Sequence, residues 1–220
     1  MVDEYLSERE QAEQLRNWLR ENWIWLVAGV ALTVGGYYGF RAWESRESSR
    51  AVEAGQRFAA MLDAIGANRR DEGLRIAGEL TGEYADTPYA DQATLVLARL
   101  DVDSGDLAGA EKRLTAVAGT SADPDLRIVA RLRLARVQLA QGRYEEALRT
   151  LEAVATPAVD ARVLELRGDV RLAQGNPAAA LAEWRKAQEA AAADTAAAAQ
   201  VDTELLQLKI NELGAAGPAE

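Results

Sequence analysis

At 220 residues and 23.8 kDa the chain has room for one domain and a short extension, which excludes a multi-domain machine with a large catalytic core. With 35 acidic against 25 basic side chains, a net charge of −10 and a pI near 4.7, it lacks the basic footprint of a nucleic-acid binder, and no nucleic acid is expected as a partner. Histidine and cysteine are both absent, which removes imidazole acid/base chemistry, thiol nucleophiles, disulfides and most transition-metal sites.

In chain order, residues 1–21 form an acidic tail holding six acids and three arginines, unlike the basic leader of a cleavable signal peptide. Asn22 to Phe40, NWIWLVAGVALTVGGYYGF, then runs 19 residues without a formal charge. As a helix it would span about 28 Å. Trp23 and Trp25 stand at one end, and Tyr37, Tyr38 and Trp43 at the other, where amphipathic rings collect at bilayer interfaces. The segment reads as an uncleaved transmembrane helix over 22–40. Arg9, Arg16 and Arg20 before it are matched by Arg41, Arg46 and Arg50 after it, so the positive-inside rule leaves orientation open. Within the span Ala31, Gly35 and Gly39 recur every four residues, a strip on which another membrane helix can dock closely; glycine is also simply common in such helices.

Residues 41–50, RAWESRESSR, read as a juxtamembrane linker or as a continuation of the helix. Amphipathic segments follow over 51–213 with a shared register. Ala64, Ala98, Ala135 and Gly168 lie 34, 37 and 33 residues apart, each followed seven residues on by Asp71, Gly105, Gly142 and Gly175. Ile76, Ala110, Ala147 and Ala180 come at twelve, and Leu80, Leu114, Leu151 and Trp184 at sixteen. This pattern predicts helix hairpins in which small residues allow close approach, a glycine ends the first helix and a bulky residue fills the gap. Periods near 34 resemble tetratricopeptide repeats. Pro88 suits that pattern, Pro124 and Pro157 fall slightly off it, and the first unit lacks the turn glycine. A last helix over 195–213, with Val201, Leu205, Leu208 and Ile210, suits the terminal cap of a solenoid. Residues 214–220 read as a flexible tail. The predicted fold class is all-α: one N-terminal transmembrane helix followed by a helical-hairpin solenoid.

No nucleophile motif or phosphate loop is present, and no cofactor is expected. Asp101, Asp103 and Asp106 hint at a calcium loop, but the rest of the EF-hand pattern is missing. The chain therefore reads as non-enzymatic.

The acidic tail, the Trp-bounded span ending GGYYGFRAW, the passage EYADTPYADQATLVLAR and the degenerate repeats, in that order, resemble the YfgM family of bacterial inner-membrane proteins. The resemblance implies a single-pass protein with residues 1–21 cytoplasmic and the repeats periplasmic. It further implies an ancillary subunit of the SecYEG translocon that associates with a membrane-anchored periplasmic chaperone of the parvulin type and assists unfolded polypeptides emerging from the channel. A membrane-tethered repeat scaffold for another envelope assembly is the alternative. Stacked helix pairs create a concave face suited to extended segments. Its expected lining, from first-helix positions of related repeats, is Phe58, Met61, Gln92, Leu95, Arg99, Val129, Leu132, Arg136, Arg162, Glu165 and Asp169, several of which also suit a core or a solvated surface.

Overall fold

Alanine-rich stretches with apolar residues at helical spacing give ten α-helices among the described residues. The computed structural model describes residues 8–154, 159–193 and 195–215, so the start of the 1–21 tail, Pro157 and most of the 214–220 tail lie outside the described residues. The chain divides into two units, Met1–Val52 and Glu53–Glu220.

Helix α1 runs from Glu8 to Gly66. The backbone is helical through 41–50. Within the first unit no single helix is long and apolar enough to cross a membrane. Two stretches, Leu15–Trp25 and Val27–Arg41, pass that test only together and are bent by 44°. The span expected over 22–40 corresponds to this bent pair. Each stretch alone, Leu15–Trp25 or Val27–Arg41, is too short to cross a bilayer as a helix. The side chains of Asn22 and Thr33 donate to the carbonyls of Trp18 and Gly29, at 2.9 and 2.8 Å.

The second unit is a row of helix hairpins. The end of α1 pairs with α2 (Arg70–Gly82), α3 (Pro88–Asp103) with α4 (Leu107–Thr120), α5 (Pro124–Ala140) with α6 (Tyr144–Glu152), and α7 (Asp160–Ala173) with α8 (Pro177–Ala193). The short α9 (Thr195–Ala198) and α10 (Thr203–Ala215) close the row against α8. Pro88, Pro124 and Pro177 each open a helix, where a missing N–H costs nothing. Asp106 and Asp123 cap α4 and α5 by accepting from free backbone N–H groups.

Gly105, Gly142 and Gly175 all have positive φ, between +75° and +83°. After each, a backbone N–H reaches back five residues: Asp106 to Asp101, Arg143 to Gln138 and Asn176 to Arg171, at 2.8 to 3.0 Å. This closure requires a left-handed residue at the helix end. The first hairpin makes the same bond from Arg69 to Ala64 around Asn68, φ +62°; asparagine tolerates that conformation better than most residues. The turn is therefore at Asn68, and Asp71 sits in the first turn of α2.

Counting from the turn corrects the first repeat by three residues. Met61, Gly73 and Ala77, not Ala64, Ile76 and Leu80, occupy its packing positions, although all six are buried. The facing pairs become Met61 with Ala77, Ala98 with Leu114, Ala135 with Leu151, and Gly168 with Trp184. Each pair combines a large with a small side chain, the bulky partner changing sides between the first hairpin and the others. The terminal helix also departs from expectation. The chain turns at Gln200, and the changed phase buries Val201, Leu206 and Ile210 while leaving Leu205 and Leu208 exposed.

Candidate functional site: the first-helix surface

The expected contact residues divide according to what covers them. Met61 and Leu95 are 0% and 5% exposed and belong to the core. Met61 is there because the three-residue offset turns it inward; Leu95 packs with Ala98, Leu114 and Leu134. These two are corrected from contact residues to packing residues. Phe58, Val129 and Leu132 are partly buried on the neighbouring clusters, and the ring of Phe58 lies 5.8 Å from that of Tyr89. Gln92 is partly buried, while Arg99 and Arg136 are exposed.

On α7 the expected face is occupied by the chain itself. Glu165, only 4% exposed, pairs with Arg162 at 2.6 Å and with Lys209 of α10 at 3.1 Å. Lys209 also reaches Asp169 at 2.7 Å. The Trp184 indole donates to the Glu165 carbonyl and to Asp169, at 3.2 and 3.1 Å. Glu165 is thus corrected to a buried tie between α7 and α10. Burial opposes the charge on Lys209, but the bonds and charges of Asp169 and Glu165 outweigh it and hold its pKa above the ordinary lysine value. Burial pushes the Asp169 carboxyl up, against the pull of Lys209.

The surface stays open where α3, α4 and α5 meet. A groove of ≈ 360 Å³ is walled there by Val102, Leu107 and Val137, with Arg99, Arg133 and Arg136 at its edges. Arg133 was missed at the sequence level. The available signal was the composition of α5, PDLRIVARLRLARVQLA, which carries four arginines and one acid in a chain of net charge −10. Arg127, Arg131 and Arg133 donate to the carbonyls of Ser121, Ala153 and Leu95, at 2.7, 3.1 and 3.3 Å. Arg136 has no hydrogen-bonding or ionic partner among the described residues. Leu62, the first-repeat counterpart of Arg99 and Arg136, was missed because of the offset; it is 43% exposed.

In the first unit, Ala31, Gly35 and Gly39 are all exposed. A methyl group added at either glycine would meet nothing within 4 Å, so the strip can accept a close neighbour. The three aspartates that hinted at calcium are engaged separately. Asp101 pairs with Arg113 at 2.7 Å, Asp103 lies 3.7 Å from Arg99, and Asp106 caps α4. Among the described residues no group of three His, Cys, Asp or Glu is placed to hold a metal.

Against known proteins, residues 16–215 match the family described as tetratricopeptide repeat-like domain. The ancillary SecYEG translocon subunit of Escherichia coli (strain K12) is 31% identical over 209 residues, which cover 95% of this chain and 98% of that protein. The proteins of the same name from Haemophilus influenzae and Neisseria gonorrhoeae are 27% and 28% identical, over 94% and 95% of this chain and 98% of each of theirs. Among solved structures, the MamA RS-1 ArsTM double mutant superposes with a TM-score of 0.51 at 19% identity, covering 76% of this chain and 97% of its own. At that identity the likeness concerns the fold alone.

Proposed function

Since this chain belongs to the YfgM family of ancillary SecYEG translocon subunits, we propose that it is itself a translocon-associated subunit, anchored by α1 and binding polypeptide through its hairpin domain. The observation that carries the reading is similarity to proteins of that name over nearly the whole of both chains. Two features of the chain support it. Most of its exposed large hydrophobic side chains lie between Leu15 and Phe40, where lipid would cover them. The small-residue strip on that stretch is open to another helix.

In the finer form of the proposal the chain crosses the inner membrane once, with residues 1–21 cytoplasmic and the hairpins periplasmic. There they engage a membrane-anchored parvulin-type chaperone and polypeptides leaving the channel. The role is that of a scaffold, since contact through helical surfaces requires no chemical step.

The test is photocrosslinking from Ala31, Gly35 and Gly39, and separately from Arg99 and Arg136, in native membranes. Adducts to translocon subunits from the first set, and to a periplasmic chaperone or nascent chain from the second, are expected. Recovery of a different envelope assembly with no translocon subunit would replace this reading with the scaffold alternative.

A further inference from the structure

This inference deepens the reading of the hairpin domain as a polypeptide-binding surface and rests on it. Several guanidinium groups of the second unit are neutralised from within: Arg57 by Glu79, Arg143 by Glu111 and Arg162 by Glu165. The groove between α3, α4 and α5 gathers three that are not. Arg133 has only the Leu95 carbonyl, Arg136 has no partner, and Arg99 has only Asp103, at 3.7 Å with both side chains more than half exposed. Three positive charges thus face one carboxylate beside an apolar wall. Burial, and then the charge of Arg99, hold Arg133 below the ordinary guanidinium value. An anion placed there would offset the charge of Arg99.

We propose that this groove takes an extended polypeptide segment with alternating acidic and apolar side chains, its carboxylates pairing with Arg99, Arg133 and Arg136 and its apolar groups seating on Val102, Leu107 and Val137. Charge complementarity selects an acidic segment over a basic one. The forked guanidinium donors suit carboxylates in particular, and the adjoining apolar wall requires more of the ligand than a bare anion offers. A chain with a net charge of −10 repels acidic partners at long range, so recognition depends on this local reversal of sign and is sensitive to salt.

The test uses the full-length protein in a non-ionic detergent and fluorescence anisotropy with an end-labelled octapeptide of alternating glutamate and leucine. A comparator has glutamine in place of glutamate. The acidic peptide is expected to bind at least tenfold more tightly, with the advantage shrinking as salt is raised. The double variant R99Q/R136Q removes side chains with little or no internal bonding, so its melting temperature should match the parent while most of the acidic advantage disappears. Equal affinity for the two peptides, or an advantage that survives the double substitution, would overturn the assignment. So would a lack of peptide preference combined with R99Q/R136Q-sensitive binding to phosphatidylglycerol vesicles. Co-purification separates this outcome from the translocon reading. If the parent chain recovers SecYEG but shows no acidic preference, only the groove assignment falls; if the preference is present but SecYEG is never recovered, only the translocon reading falls.

Discussion

Gly168 and Trp184 show how one residue constrains another across a hairpin. A methyl group at Gly168 would lie 2.3 Å from the Trp184 ring, which is itself 2% exposed and held by two hydrogen bonds. Gly168→Ala should therefore destabilise the domain by about 1 to 3 kcal/mol through overpacking. In a Trp184→Leu background, which reproduces the Ala and Leu pairing of the two preceding hairpins, the same substitution should cost much less, and a double-mutant denaturation cycle measures the difference. An equal cost in both backgrounds would disprove the paired-volume rule. Ala147, 0% exposed, admits no such relief. Ala147→Leu should lose about 1 to 3 kcal/mol in urea denaturation of the full chain, and an unchanged midpoint would contradict its packed position.

Helix α10 closes the solenoid by two means, the apolar contact of Leu206 and Ile210 with α8 and the reach of Lys209 to Glu165 and Asp169. Removing the ammonium leaves two partly or fully buried carboxylates short of a donor. Lys209→Met should then raise amide hydrogen exchange in α10 before it affects α3 to α6, at a local cost of about 2 kcal/mol. The pH dependence follows from the raised pKa of Lys209. A lysine held above its unfolded value contributes its full stabilisation below that value, roughly 10.4, and loses it as pH rises through the higher folded value. Exchange in α10 should accelerate beyond its ordinary base-catalysed trend in that alkaline window in the parent, but not in Lys209→Met. Parallel behaviour in the two proteins would show that the tie contributes nothing.

At the scale of the whole molecule, the second unit has its own core, beginning at Ala54. A fragment covering 53–220 should be soluble without detergent, helical by circular dichroism and cooperative on heating. Strand-rich spectra, or a fragment that stays insoluble, would refute the independence of the hairpin domain. The proposed topology is separately testable, since a reporter fused after Glu220 should be active only if it works in the periplasm. Cytoplasmic activity would reverse the orientation.

The all-helical class, the repeat spacing and the glycine turns at Gly105, Gly142 and Gly175 were legible in the sequence, because each depends on local chemistry: helix propensity, apolar spacing and the ease with which glycine takes a positive φ. The first repeat was misplaced by three residues because Asn68 performs the glycine's task without its signature, and because Ala64, Ile76 and Leu80 are buried too, so composition alone could not expose the slip. Which first-helix residues face outward was decided only by packing. Leu95 and Glu165 precede Arg99 and Asp169 by one helical turn, yet Leu95 is covered by neighbouring helices and Glu165 by the tie to α10, while Met61 is turned inward by the offset of the first repeat. The arginine groove likewise required the tertiary structure. Its charge lies on α5 and α3 and its apolar wall on three helices, and no linear spacing records that Arg133 and Arg136 find no carboxylate partner among the described residues.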